Sequence, residues 1–438
     1  MSMEVLFTII LLISYLVFVA YIMKGGNLLM GFILMSVVWI PIGVIGGQID
    51  WATFNGTIMQ TAPSNIGTNV VLIFVGSWLG QVMLKTGIAS TIIRKAVELG
   101  GDKPLFTAIL LSILTTLIFC SVYGAGAVIG IGIIVMPIML SLGIPKAVVT
   151  ASYIMSVGAG MYSNAVIFAE KQAALLLNET NPEYTYQIYQ KVGVVGTVVQ
   201  LIIIIMMLIV MLGRKKKVSH AWAVSTAQTP QKDAPLYALI APFMPVVLII
   251  LFKWNAIPAF LAAIFYALFT CGYVTGKNGK ESLSVAISKT LNDGIMDAAP
   301  LIGFLFFQGI FTATANCDAF FFQQTLGGII PTSTLVLAIV FAVLTPLGLF
   351  RGPLSVFGVG PVLFAVINGL GVFELPFLFA LFQFTGIATT ISSCVTQSWT
   401  IWAVNYNKVT PRDFMVTAFP WCWVVNIINC GILYVMLG

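Results

Sequence analysis

The sequence predicts an all-α polytopic membrane protein made of two inverted-topology repeats, each with a hairpin and a discontinuous helix. Three observations carry that prediction. The 438-residue chain is 59% hydrophobic and only 8% charged, with a mean hydropathy of +1.05. A soluble protein carries roughly 25% charged residues, so no water-facing surface covers this much apolar sequence and lipid must do so. The apolar runs are long and continuous rather than alternating, and in lipid a helix satisfies its own backbone hydrogen bonds. One pattern also occurs twice, as GAGAVIGIGIIVMPIMLSLG at 124–143 and GPLSVFGVGPVLFAVINGLG at 352–371. Each copy then meets a proline, Pro145 or Pro376, and enters a run interrupted by small and polar residues, SVGAGMYSN (156–164) and TGIATTISSCVTQS (385–398). Interrupted membrane segments at matching places in two halves point to a binding site between them.

In chain order, the apolar segments of the first half fall at about 5–23, 27–46, 64–84, 104–120, 127–142, 147–169 and 193–212. The first is read as a span and not a signal peptide, because no small-residue cleavage site follows it and a second run begins at once. A polar stretch, RKKKVSHAWAVSTAQTPQKDAP at 214–235, separates the halves. The second half reads 236–252, 256–273, 291–314, 331–346, 355–370, 376–398 and 414–436. The expected division is therefore a first repeat over 1–212, a cytoplasmic linker over 213–235 and a second repeat over 236–438. Both third elements begin near a proline, in QTAPSNIG (60–67) and MDAAPLIG (296–303). Residues 88–99, IASTIIRKAVEL, read either as an interfacial amphipathic helix or as a short connector, with 280–292 as the counterpart.

Basic loops face the cytoplasm. With both termini outside, 16 of the 20 Lys and Arg residues fall on the cytoplasmic side, and only Lys171, Lys191, Lys253 and Arg351 do not. The opposite orientation reverses this bias. In this topology the fourth and fifth elements start and return inside in the first half, and start and return outside in the second. The halves are then inverted, and each pair is either two full spans or a re-entrant hairpin followed by a helix. The expected location is the cell inner membrane.

Six cysteines and a single histidine, His220, show no metal-ligand spacing and no disulfide framework. The net charge of +6 reflects loop bias and implies no nucleic acid. No Walker motif or sizeable soluble domain is present, so an ATP-driven pump is unsupported. No catalytic constellation appears, and no cofactor is expected.

Polar groups in hydrocarbon are costly unless paired, so intramembrane polar clusters are functional candidates. The first-half cluster is Ser156, Ser163 and Asn164 beside Gly158 and Gly160. The second is Thr385, Thr389, Thr390, Ser392, Ser393, Thr396 and Gln397. Counted from Gly158 and Gly386, Asn164 and Ser392 stand at equal offsets. The bland alternative is helix packing, which favours the same residue types. At the glycine-rich tips, Gly124 and Gly126 offer free N–H groups to an anion if a helix starts there, and Arg351 and Gly352 stand at the other tip. Arg351 has no acidic neighbour within thirty residues upstream or twenty downstream. Its guanidinium suits a carboxylate; snorkelling to headgroups or pairing with a distant acid are the alternatives. Asp293 and Asp297, four apart before Pro300, are candidates to carry a proton or attend a cation, or else are wetted at the cytoplasmic edge. Asn65 and Asn69 hold the corresponding place in the first half. Glu170 reads as an outer rim charge.

At the twin glycine–proline segments the layout resembles the ion-transporter superfamily of secondary carriers. That superfamily includes dicarboxylate, citrate and gluconate carriers and the large membrane subunit of tripartite carboxylate transporters. Sodium–dicarboxylate members carry a Ser-Asn-Thr motif at hairpin tips; here Ser163-Asn164 is followed by Ala165, and the second half has Ser392-Ser393 without asparagine. The resemblance implies an organic-anion carrier with an elevator-like motion, in which 104–169 and 331–398 move against a scaffold of the first, second and seventh elements and their mates. A homodimer is the expected assembly. The leading reading is a symporter of a small carboxylate driven by Na⁺ or H⁺, with Na⁺ a candidate ion near Asn164 and Thr390. The rivals are a Na⁺/H⁺ antiporter, a carrier of amino acids, and the membrane subunit of a binding-protein-dependent carboxylate transporter.

Overall fold

Helices Met3–Met23 (α1) and Leu28–Ile45 (α2) begin the chain in the computed structural model, which describes residues 3–65, 67–101, 103–177, 181–213, 233–273, 282–328 and 330–438. The Asn27 side chain starts α2 by accepting from the Met30 N–H at 3.2 Å, an N-cap that supplies one of the helix's orphan amides. A π-helical stretch, Thr53–Thr61, and the short turn Ala62–Ser64 lead into Gly67–Lys85 (α3). Then come Ile88–Gly100 (α4), Pro104–Phe119 (α5), Ala125–Ser141 (α6), Lys146–Met161 (α7), Ala165–Ala174 (α8) and Tyr186–Gly213 (α9). The expected linker at 213–235 lies almost wholly outside the described residues.

The second half opens with a 3-10 stretch, Leu236–Phe243, followed by Met244–Phe252 (α10), Ala256–Thr270 (α11) and Leu283–Leu326 (α12). After these come Thr334–Val343 (α13), a 3-10 stretch Thr345–Arg351, Gly360–Asn368 (α14), Leu375–Gly386 (α15) with a π-helical end Ile387–Ile391, Ser398–Tyr406 (α16) and Pro411–Leu437 (α17). Every regular element among the described residues is helical. Six of them, counting Thr53–Lys85 as one, are long and apolar enough to cross a membrane. Large aliphatic side chains such as Ile13, Val17, Val37, Ile202 and Val435 are exposed on their outer faces, as lipid contact requires. The chain is thus an all-α, multi-pass membrane protein.

Three expected elements differ. The third element of the second half, read as 291–314, belongs to one 44-residue helix that also absorbs most of the amphipathic segment expected at 280–292. Hydropathy sees only the apolar middle of such a helix, whereas the polar stretch from Leu283 to Asp297 continues the same backbone. A helix over Ser398–Tyr406 follows the polar cluster at 385–398. Around 88–99, α4 does form, but its apolar face (Ile88, Ala89, Ile92, Ile93, Ala96) is buried against protein and packs on α5. Its charges face outward, where Arg94 pairs with Asp233 and Lys95 with Glu98 at 2.7 Å.

The helices pack in two groups. In one, α3 and α12 lie along each other, with α2 and α11 beside them. In the other, α7 packs against α5, α9 and α17, and α17 in turn holds α13 and α15. The seventh elements of both halves, α9 and α17, therefore pack on each other and on α7. The groups meet where α3 touches α8 and where α12 touches α14.

Candidate functional site: a cavity at the helix breaks

Four interruptions separate helices at 120–124, 162–164, 352–359 and 392–397. Three of them meet at a cavity of about 980 Å³, lined among others by Tyr123, Gly124, Phe350, Arg351, Thr396 and Gln397. Its remaining wall comes from Ile167 and Glu170 of α8, from Met296 to Phe304 of α12, and from the turn between α1 and α2, where Lys24 stands exposed. Breaks of this kind leave backbone dipoles free to face a solute.

At the first break the N-terminus of α6 already holds a carboxylate. The Gly126 N–H donates to both oxygens of Asp297, at 3.0 and 3.1 Å, with the Gln81 amide also facing that side chain. An anion at a helix N-terminus is favoured by the helix dipole and the unpaired amides. Gly124 is required here on two counts. Its φ of +108° lies in the region that disfavours side chains, and a Cβ would stand 2.3 Å from an Asp297 oxygen.

The third break carries Arg351, with φ +60° after Phe350 at +52°. The guanidinium donates to the carbonyls of Phe357 at 3.0 Å and Thr396 at 3.3 Å, and to Gln397 Oε1 at 3.3 Å. All three acceptors are neutral, and no carboxylate reaches it within ion-pair distance among the described residues. Lys171 is also buried, its ammonium 3.4 Å from the centroid of the Phe357 ring, a cation–π contact. Beside it Glu170 is 0% exposed, and neither of its oxygens has a hydrogen-bond partner. The Tyr123 hydroxyl faces that carboxylate. Glu170 and Lys171 are therefore buried side chains of the site and not the outer charges the sequence suggested. The break at 162–164 interrupts the helix, so counting a 1.5 Å rise per residue from Pro145 misplaces residue 170.

Of the expected site residues, the structure brings Gly124, Gly126, Asp297 and Arg351 together at the cavity, with Gly352 closing the turn after Arg351. The polar clusters form the wall behind it. Asn164 caps α8, accepting from Val166 N at 2.8 Å and Ile167 N at 3.4 Å. Its amide nitrogen donates to the carbonyls of Phe119 and Val122 at 2.9 and 3.1 Å, tying the end of α5 to the break. Ser163 bonds to Thr197 at 2.7 Å. Thr390 donates to Ser355 at 2.9 Å, and Thr389 to the Thr385 carbonyl at 2.6 Å. Ser392 accepts from Gln200 at 2.9 Å, and Ser393 donates to the Ala388 carbonyl at 2.8 Å. Asn65 and Asn69 each have an unpartnered amide nitrogen and do not line the cavity, and Asp293 is exposed. The residues not anticipated as site members are Glu170, Lys171 and Phe357. The one available signal was two adjacent charges inside an apolar run.

Fold and cavity together define a multi-pass helical membrane protein with a charged chamber between broken helices. No protein-family model matches the chain, and no curated protein matches it. Among solved structures, the chain is similar to the crystal structure of the Alcanivorax borkumensis YdaH transporter, whose topology is described as unusual. The TM-score is 0.64 at 15% identity, over 94% of this chain and 98% of that one. At that identity the likeness is one of fold.

Proposed function

We propose that the chain is a secondary active transporter of a small organic anion, coupled to Na⁺ or H⁺, in the cell inner membrane. The observation that carries this reading is Arg351. It faces the cavity at a helix break, and its hydrogen bonds go only to neutral acceptors. A guanidinium whose charge is uncompensated in a largely apolar chamber favours an anionic ligand. The fold shared with a solved transporter is in keeping with it. In this reading the two halves are inverted repeats. The block containing α5–α9 and α13–α17 shifts against α1–α3 and α10–α12, an elevator-like motion; the seventh elements, α9 and α17, are assigned here to the moving block and not to the scaffold expected from the sequence, because they pack on α7. No bond chemistry is required, only that loaded and empty forms cross more readily than half-loaded ones.

A zwitterion carrier is the rival that one feature favours, since the carboxylates of Glu170 and Asp297 line the same chamber and would suit an ammonium.

Uptake into proteoliposomes separates these readings. The panel is succinate, citrate, gluconate, glutamate and alanine, with Na⁺ and pH gradients imposed in turn. Arg351→Gln is expected to weaken uptake of the accepted acid at least about tenfold, the scale of one charge-assisted hydrogen bond. Arg351→Lys falls between it and wild type, because an ammonium lacks the fork. Unchanged affinity in an inserted, monodisperse Arg351→Gln protein removes the arginine from the site.

A further inference from the structure

We propose that Glu170 is a proton-binding site in the cavity wall, and that its proton is taken up together with the transported anion. The inference rests on the carrier reading above and adds the coupling ion and the residue that holds it.

Two carboxylates line the chamber, in different environments. Asp297 has both oxygens bonded to the Gly126 amide at the start of α6 and is half-exposed, so the helix N-terminus offsets part of what burial costs its charge. Glu170 has no such support. It is fully buried, neither oxygen has a partner at ordinary hydrogen-bond distance, and the Tyr123 hydroxyl faces it. The ionisable groups around it are Tyr123 from the first break, Lys171 next to it on α8, Arg351 from the third break, Asp297 on α12 and the exposed Lys24 at the rim. On the Phe168 side of α8 stand Tyr184, Tyr186 and Tyr189. Elsewhere, α3 contributes only Lys85 at its far end, and α9 adds Lys191 near its start.

With the chamber empty, the Glu170 carboxylate stands beside the buried ammonium of Lys171, and Arg351 lines the same chamber. An incoming carboxylate that docks on Arg351 brings a further negative charge into the chamber that Glu170 lines. Two desolvated negative charges in one chamber repel, and protonating Glu170 removes the conflict. Anion binding thus favours protonation, and by reciprocity protonation favours the anion to the same degree. The form carrying both is favoured over either half-loaded form, which is the condition for symport. A proton fits the site better than Na⁺. A hard cation gathers about six oxygen ligands, whereas here a single carboxylate and one phenol stand beside two cations.

The test uses the full-length protein. Its first arm is infrared difference spectroscopy of detergent-purified protein between about pH 5 and about pH 9, spanning the perturbed carboxylate range. A titrating buried-carboxyl band is expected in wild type and absent from Glu170→Gln, and a band unchanged by the substitution overturns the proposal. Its second arm is proteoliposome transport of whichever acid of the panel above wild type accepts. In wild type a pH gradient drives accumulation. The apparent affinity then weakens by up to about tenfold per pH unit on the alkaline side, the slope of one linked proton. Glu170→Gln is expected to keep exchange counterflow while losing pH-driven accumulation and that slope, and Glu170→Asp to restore both in part. Accumulation by Glu170→Gln at the wild-type level overturns the proposal. Accumulation by wild type under a Na⁺ gradient alone overturns it too, but leaves the carrier reading standing. If wild type moves no member of the panel, the carrier reading fails, and the infrared band alone decides whether Glu170 binds a proton.

Discussion

Asn164 shows how one side chain can be misjudged in either direction. Its position in a polar interruption of an apolar run made it a ligand candidate, yet all four of its hydrogen-bonding partners are backbone groups of this chain. Asn164→Ala would leave two buried carbonyls and two amides without partners. Caps are worth about 1 kcal/mol and orphaned buried groups about 1–3 kcal/mol each, so a loss of about 3 kcal/mol is expected. It should appear as a clear drop in the melting temperature of the purified protein. Asn164→Asp keeps the cap but sets a carboxylate against two carbonyls, and should melt low as well. Normal melting with lost uptake would make Asn164 a ligand instead. Arg351 was easier to read, because a charge in a long apolar run has few bland explanations. Glu170 and Lys171 were equally conspicuous, but the sequence showed their charge without showing that Tyr123 and Phe357, from two other breaks, stand against them. A residue's chemistry is legible in a sequence, while its partners depend on chain geometry set elsewhere.

Between elements, α7 and the break at 392–397 bring the two halves into close contact. A Cβ on Gly158 would stand 2.0 Å from Ser392 Oγ and 3.2 Å from Gln200 Nε2, and Ser392 already accepts from Gln200 at 2.9 Å. Gly158→Ala must therefore push these elements apart, with an overpacking cost of about 1–3 kcal/mol. Adding Ser392→Ala removes the nearest atom and should recover part of the loss. The thermal shifts of the two single variants and the double variant form a cycle with a coupling of about 0.5–3 kcal/mol, and additive shifts would mean the contact is not made. The equal offsets of Asn164 and Ser392 from their glycines signalled that both breaks exist. They did not signal that Ser392 bonds across to α9. The apolar segments were legible because twenty-residue hydrophobic runs have one interpretation in lipid. The length of α12 was not, because its first turns are polar and Pro300 suggested an element boundary. Proline inside a helix removes one hydrogen bond and frees the carbonyl four residues earlier. Here that residue is Met296, which with Pro300 lines the cavity.

For the molecule as a whole, the proposed motion requires a boundary that can shift. The contact between the two helix groups is mostly apolar; Val359, Val362, Ala365 and Val366 beside α14 pack into the cluster made by α1, α2 and α12. Polar ties cross it at several points, among them Asp297 to Gly126, Gln308 to the Val356 carbonyl at 2.6 Å, Tyr15 to the Val359 carbonyl at 3.2 Å, and Thr312 to the Ala174 carbonyl at 2.9 Å. Apolar surface can slide at small cost when the area buried is conserved, because the hydrophobic term is non-directional. Each polar tie must be broken and remade. The Thr312–Ala174 tie joins α12 to α8, one element from each group, so it reports directly on whether they separate. Cysteines at both positions, with the one native cysteine that is not fully buried changed by Cys317→Ser, are close enough for a disulfide if the backbones match its 4.4–6.8 Å Cα separation. Oxidation is expected to hold the state described here and abolish net uptake. The accepted acid should still bind, since the bond lies outside the cavity lining, and reduction should restore transport. Each single-cysteine variant should transport with or without oxidant. If the oxidised double variant, shown by gel mobility to be fully cross-linked, still carries the acid at the wild-type rate, the two groups do not move past each other at this boundary. Access to Arg351 would then have to alternate through the breaks alone, by movement of the segments around Tyr123 and Phe350.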